Sequence, residues 1–299
     1  MIWITGSFGM LGQEVKKQFD ENHINYLATT SSEVDISDFP SVLRFVQDKN
    51  INWIINCAAY TAVDKAESDK EKCFKVNATG AENLAKAAKS FGAKLIHIST
   101  DYVFDGTKSR PYLESDPVCP IGVYGYCKAE GEKNIQIETQ NYFILRTSWL
   151  YGFYGKNFVY TMLKLMNSRE SIKVVCDQRG TPANCETLAS VILKIIQTDS
   201  SAYGIYNVTD EGETTWFEFA KEIQKKYSQL KYSHLNKKIE NCFVNPCLSS
   251  EYISAAKRPA YSVLSKEKIK TTFNIKLPDW KESLYSFLMS ENFNSEMIK

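Results

Sequence analysis

Tyr124 and Lys128, in the stretch VYGYCK, are a pair that could do chemistry together. On a helix, residues four apart share a face, whereas Tyr126 points elsewhere. A free phenol has a pKa of about 10, too high for ready ionisation at neutral pH. A nearby ammonium favours the phenolate and lowers that value, and an oxidised nicotinamide ring adds to the effect. Tyr124 is therefore a candidate acid toward a carbonyl oxygen as hydride reaches the carbon. Lys128 is its partner and a candidate holder of the nicotinamide ribose. Upstream, the stretch STDYVFDG at 99–106 supplies Thr100 and Asp101, and Thr100 can donate a hydrogen bond to the same carbonyl oxygen. By itself Tyr-x-x-x-Lys is usually a solvated helix face. Its weight comes from its place after a glycine loop and a Ser-Thr-Asp strand end.

The glycine loop is ITGSFGMLGQEV, with Gly6, Gly9 and Gly12 in a G-x-x-G-x-x-G spacing. It follows an apolar run and opens a helical pattern, the context in which such a loop is credible. A tight turn there brings backbone N–H groups and the positive helix end against a pyrophosphate, and side chains at the glycine positions would obstruct it. The loop residues Ser7, Phe8, Met10 and Leu11 are accordingly expected at a dinucleotide. Three glycines in an ordinary β–α turn are the bland alternative. The second strand ends in TTSSEVDIS, where Thr29–Ser32 stand at the place of the acid that selects NAD. Glu33 is an imperfect stand-in, and no arginine lies beside it. NADPH is the expected cofactor, with NADH usable. Asp35 and Ile36 are expected to flank the adenine. Ala58, Ala59 and Tyr60 follow the third strand, where the chain should pass under the cofactor.

These groups need a scaffold. Short apolar runs at Ile2–Thr5, Tyr26–Thr30, Trp53–Cys57, Leu95–Ser99 and Phe143–Thr147 alternate with helical patterns near 10–19, 38–49, 67–90 and 124–138. Alternation of this kind predicts a doubly wound, Rossmann-like parallel sheet with helices on both faces. Its strands are buried on two sides, so WIINC and LIHIS are apolar without strict alternation. Ligands then bind beyond the carboxyl ends of the strands, where Thr100 and Asp101 fall. After residue 150 the rhythm loosens, with helices expected at 157–168, 185–197 and 215–227 and a capping box at Thr215 and Glu218. A late strand, Ile205–Val208, could rejoin the sheet. Residues 1–150 thus read as a dinucleotide-binding domain, and 151–299 as a mainly substrate-binding, smaller, interleaved one.

The composition sets bounds. The 299 residues are 43% hydrophobic and 24% charged, with a formal net charge of +1, so the overall field gives no reason to expect nucleic acid or an anionic membrane as partner. No apolar run approaches membrane-spanning length, and no secretory signal is visible after Met1. Eight scattered cysteines without a C-x-x-C pair fit reduced thiols in a cytoplasmic protein, not a disulfide framework or zinc site.

With these residues in view, the chain resembles the dTDP-4-dehydrorhamnose reductase family of the extended short-chain dehydrogenase/reductase superfamily. The matching stretches are GSFGMLGQE, NCAAYTAVDKAE, VNATGAENLA, HISTDYVFDG, VYGYCKAEGEK, LRTSWLYG, NFVYTML, DQRGTP, TTWFEFA, RPAYSVL and LPDW, almost end to end. STDYVFDG and RTSWLYG are specific to that family and its near relatives. The resemblance implies an oxidoreductase using NAD(P)H on the C4 carbonyl of a dTDP-4-keto-6-deoxyhexose, in nucleotide-sugar and cell-surface polysaccharide biosynthesis. It implies Tyr124, Lys128 and Thr100 as the catalytic set and Thr100, Asp101 and Trp149 at the sugar. Arg258 becomes a contact for the substrate diphosphate, with a local ion pair as the alternative. Trp149 has a core aromatic as its alternative, and Asn157 is expected to cap the helix it opens. The chain departs from the family at Gly180-Thr181-Pro182-Ala183 and in the stretch 230–256, where the substrate nucleotide is expected. Glu14 and Glu186 resemble carboxylates that bridge subunits through a divalent ion in some members. Two isolated glutamates do not carry a metal assignment, and a homodimer stays open. Two other readings share the fold. One is an NADP-binding regulatory subunit of a methionine adenosyltransferase, which would have no need of Thr100, Tyr124 and Lys128 together. The other is another nucleotide-sugar reductase, epimerase or dehydratase. The dehydratase branch has Asp-Glu after the strand-end threonine, where this chain has Asp101 and Tyr102.

Overall fold

The structure, a computed structural model, describes residues 1–230 and 236–298. Six parallel strands form the central sheet: β1 (Ile2–Thr5), β2 (Tyr26–Thr29), β3 (Trp53–Asn56), β4 (Lys94–Thr100), β5 (Tyr142–Thr147) and β6 (Gly204–Asn207). Their order is β6-β5-β4-β3-β1-β2. The two faces are set by the period of two along each strand. Trp3, Ile54, Leu95 and Ile144 pack on one face with the helices α2 (Phe39–Val46) and α3 (Gly80–Phe91). Ile2, Ile4, Trp53, Ile55, Ile96, Phe143 and Leu145 pack on the other with α1 (Met10–Glu21).

The helix that carries Tyr124 and Lys128 is α4 (Val123–Glu138). It packs tightly enough that a Cβ on Gly125 would stand 2.1 Å from the Tyr102 carbonyl oxygen. The helix expected at 67–90 runs from Lys70 to Phe91 and contains one π turn, at Lys75–Thr79, between a first turn at Lys70–Phe74 and α3. The π turn puts Asn77 where it clamps Tyr60, accepting from its backbone N–H and donating to its carbonyl, both at 2.9 Å.

After β5 the chain builds a second apolar cluster. It contains Tyr151, Phe153 and residues of α5 (Phe158–Ser168), the later helix α7 (Trp216–Ser228) and α8 (Trp280–Met289). Between them α6 (Cys185–Gln197) returns to the sheet and packs on α1. Asn157 caps α5 by accepting from the Tyr160 N–H at 3.2 Å. The capping box at Thr215 and Glu218 is formed in full. β6 pairs with β5 from residue 204 onward, so the later half of the chain completes the first sheet. The stretch 230–256, the least matched in sequence, includes a strand at Phe243–Cys247 paired with Ser171–Val175, while its residues 231–235 lie outside the described ones. All eight cysteines are free. Among the described residues, no helix is long and apolar enough to cross a membrane.

Candidate functional site

The glycine loop joins β1 to α1. Gly6 has φ +65°, and a Cβ there would stand 2.5 Å from the Ala58 nitrogen at the end of β3. A Cβ on Gly12 would stand 2.4 Å from the Gly6 carbonyl. Only glycine lets the turn lie this close to the neighbouring strand end. Gly9 occupies the N-cap of α1 and gives it no side-chain cap, and no acidic residue lies in its first turn. The helix end thus offers uncapped backbone N–H groups and a positive dipole end to an anion. This cradle fits the pyrophosphate of a dinucleotide. Phe8 stands exposed beside it, and Ser7 is tied through its N–H to the Thr29 carbonyl at 3.1 Å.

Thr29 itself is buried, and its hydroxyl accepts from Trp3 Nε1 at 2.9 Å, so that side chain faces the core. Glu33 folds back on Thr30, accepting from its N–H at 2.8 Å and its hydroxyl at 2.9 Å. These bonds hold the Glu33 carboxyl below its usual range. Asp35 is exposed and accepts from Ser37, while Ile36 is buried against α3. Ala59 is exposed, and Ala58 and Tyr60 are half-buried at the end of β3.

Thr100 ends β4, opposite Thr147 of β5. Its hydroxyl accepts from the Tyr102 N–H at 3.2 Å and donates to Asp101 Oδ1 at 3.1 Å. Asp101 is buried, and its Oδ2 has no hydrogen-bond partner. Burial pushes its carboxyl up to about 7, against bonds from Ser262, Thr100 and the backbone that pull it down. Tyr124 projects to the same place, edge-on to Tyr102 with ring centroids 6.0 Å apart. Thr100 and Asp101 both act on its phenol. Burial first, then the Asp101 charge, push that phenol up. The lowering expected from Lys128 does not occur in the chain alone, because the amine turns away from the phenol. Lys128 Nζ donates to Ile98 O at 2.5 Å and lies 3.2 Å from His97 Nε2. The structure therefore joins Thr100, Asp101 and Tyr124, while Lys128, on the same helix, points beneath them. Tyr126 is exposed and stacks on Phe74.

Trp149 follows β5 with φ +47°, the left-handed region that a tryptophan rarely adopts. It stacks on Trp216 with centroids 3.6 Å apart, and its indole lies where a Cβ on Gly180 would be, 2.7 Å away. Half-buried, it is both part of the aromatic cluster and a surface at the sheet's carboxyl edge. Arg258 is already committed: it pairs with Asp64 at 2.8 Å and bonds Ser254 and the Ala256 carbonyl. Against burial, the bonds from Arg258, Ser254 and Ala256 hold the Asp64 carboxyl down to about 2. A diphosphate would have to share or replace that carboxylate. Glu14 is buried with Lys17 at 3.7 Å, and Lys17 also reaches Glu186 at 3.8 Å. Burial pushes the Glu14 carboxyl up.

Three polar residues that the sequence reading passed over support the site. Glu132 on α4 and Arg146 on β5 form a buried pair, 2.6 Å at its shortest, and Glu132 also accepts from the Ser99 hydroxyl at 2.5 Å. His97 on β4 lies between Asn56 and Lys128. For His97 and Arg146 the available signal was an ionisable residue inside a strand that is buried on both faces, as in KLIHIST and YFILRT.

The family described as the RmlD substrate binding domain matches residues 1–292. A dTDP-4-dehydrorhamnose reductase from Aggregatibacter actinomycetemcomitans is 40% identical, covering 94% of this chain and 96% of its own. Among solved structures, a dTDP-4-dehydrorhamnose reductase of Clostridium acetobutylicum superposes with a TM-score of 0.88 at 40% identity, covering 96% of this chain and 98% of that one. A dTDP-4-dehydrorhamnose reductase of Bacillus anthracis in complex with NADP superposes with a TM-score of 0.89 at 38% identity, with the same coverage of 96% and 98%.

Proposed function

This chain belongs to the RmlD substrate-binding-domain family, and from that premise we propose that it reduces the C4 carbonyl of dTDP-4-dehydro-L-rhamnose with NADPH, giving dTDP-L-rhamnose. The observation that carries the reading is Tyr124 packed edge-on against Tyr102, just past Thr100 at the carboxyl edge of a sheet whose first turn is a glycine cradle. NADPH, when bound, supplies the hydride to C4. Tyr124 is the acid: its phenol, held protonated by burial and Asp101, gives its proton to the carbonyl oxygen as that oxygen gains charge. Thr100 orients the same oxygen by turning its hydroxyl from Asp101 toward it. Lys128 holds the ribose and supplies positive charge beneath the phenol. Trp149 offers its ring to the sugar, and Arg258 exchanges Asp64 for the diphosphate, since a guanidinium matches phosphate geometry. Residues 151–299 serve mainly the nucleotide sugar, and the glycine loop, Asp35, Ile36 and Ala58–Tyr60 the cofactor.

The test is turnover of the purified chain with NADPH and a panel of nucleotide-linked 4-keto-6-deoxy sugars, with products identified by NMR. Oxidation of NADPH is expected with dTDP-4-dehydro-L-rhamnose and not with the free sugar. If no nucleotide-linked 4-keto sugar is turned over while the chain forms a tight complex with an adenosyltransferase, the regulatory reading replaces this one.

A further inference from the structure

A row of buried polar groups runs beneath the carboxyl edge of the sheet, from β1 to α4. Thr5 Oγ1 donates to Asn56 Oδ1 at 2.8 Å, and the Ala58 N–H donates to the same oxygen at 3.1 Å. Asn56 Nδ2 lies 2.9 Å from His97 Nδ1. His97 Nε2 lies 3.2 Å from Lys128 Nζ, which donates to Ile98 O at 2.5 Å. Thr5, Asn56, His97 and Lys128 are all at most 2% exposed, so water cannot make good a mismatched contact.

The proton positions follow from donor counting. A backbone N–H can only donate, so Ala58 fixes the Asn56 amide with its oxygen inward and its NH2 toward His97. His97 Nδ1 must then accept. An imidazolium would oppose N–H to N–H there, and burial, with the Lys128 charge next, pushes His97 well below its ordinary range. The ring is therefore neutral with its proton on Nε2, aimed at Lys128. An ammonium has three donors and no acceptor, so it would again oppose N–H to N–H. A neutral amine has a lone pair to receive the Nε2–H.

We infer that Lys128 rests as a neutral amine in the cofactor-free protein at mildly alkaline pH, held by His97 as a positioning residue, and there takes up one proton from solvent when NADPH binds. The resting state stands on the hydrogen bonds alone; the proton uptake rests also on the cofactor reading above. Negative charge brought by the cofactor favours the ammonium, and turning Nζ from His97 toward the ribose removes the opposed N–H groups. The ionisable groups facing Lys128 are His97 on β4, the Cys73 thiol of the helical turn at Lys70–Phe74, and Glu132 on its own helix. Glu132 is already matched by Arg146. Burial brings the amine down to about 8, although Glu132 and Cys73 pull the other way.

Two measurements test this. In the free protein, the side-chain NMR signal of Lys128, assigned by its loss in Lys128→Met, should titrate near 8. His97→Asn keeps an acceptor for Asn56 and has no atom that reaches Nζ, so the titration should move up by about one unit or more. Asn56→Asp removes the NH2, lets Nδ1 carry the proton, and should move it the same way if His97→Asn does not fold. In calorimetry of NADPH binding at about pH 9, buffers of different ionisation enthalpy should report uptake of about 0.8 proton in the wild type and at most half of that in His97→Asn. A purely structural histidine would lower the melting temperature and leave the lysine titration in place. A wild-type Lys128 that titrates near its ordinary value of about 10.4, or a titration unmoved in the folded variants, overturns the resting state. NADPH binding without proton uptake overturns the second half. Absence of NADPH binding takes the cofactor reading and the uptake with it, while the free-protein titration still decides the amine.

Discussion

At the scale of single residues, Tyr124 and Tyr126 separate the proposed chemistry from its surroundings. Tyr124→Phe keeps the ring and removes the hydroxyl proposed as the acid, so kcat should fall about a hundred- to ten-thousand-fold. NADPH affinity should barely change, because the glycine cradle is untouched. Tyr126 is 49% exposed and stacked on Phe74, so Tyr126→Phe should leave steady-state rates near wild type. The opposite result would reverse the register on which the assignment depends. Cofactor choice is also decided residue by residue. Glu33 is folded onto Thr30 and Thr29 onto Trp3, so no carboxylate is presented where a 2′-phosphate would sit. NADPH should be used at least as well as NADH. A tenfold preference for NADH in kcat/KM, about 1.4 kcal/mol, would show that Glu33 swings out to take the ribose. Tyr124 and the loop glycines were legible in the sequence because helix periodicity and glycine spacing are local. The partners of Arg258 and the tilt of Lys128 toward His97 were not, because they depend on residues 194 and 31 positions away.

At the scale of elements, α4 must hold Tyr124 against the end of β4, and the buried Glu132–Arg146 pair does much of that. It ties α4 to β5, and through the Ser99 hydroxyl to β4. Breaking such a pair strands a charge in the core, at about 3–5 kcal/mol. Glu132→Ala should therefore lower the urea midpoint strongly. Glu132→Leu with Arg146→Met, which removes both charges, should recover much of the loss. A cost under about 1 kcal/mol for Glu132→Ala would mean that the charges are hydrated after all. The strands and long helices were readable because apolar runs buried on both faces, and helical spacing between them, leave few other folds. The π turn at Lys75–Thr79 was not readable. From that turn the Asn77 side chain bonds both backbone groups of Tyr60, 17 residues earlier, and nothing in the local pattern announces that contact.

For the whole molecule, buried carboxyls make stability depend on pH in a way that charge composition hides. The net charge of +1 does not say where stability peaks. Yet burial holds both Asp101 and Asp210 up to about 7, and each has a buried oxygen without a partner. In the unfolded chain such groups titrate at about 3.9. Between there and about 7 the unfolded state loses protons that the folded state keeps, so these two groups make the fold less stable as pH rises through that window. Asp64, held down to about 2, acts in the opposite sense: its contribution is present above the unfolded value and lost as pH falls toward 2. Lys128, lowered to about 8, acts only in a more alkaline window. Stability should therefore peak on the mildly acidic side and decline toward pH 8. Asp210 isolates the effect, since it lies after β6, where its Oδ2 accepts from the Asn184 N–H at 3.2 Å. Asp210→Asn keeps an acceptor for that N–H and has no charge to bury. Its melting temperature should match wild type near pH 4, exceed it at pH 8, and show a shallower decline between the two. Equal slopes for variant and wild type across that range would mean that water reaches the Asp210 carboxyl and that its burial carries no penalty.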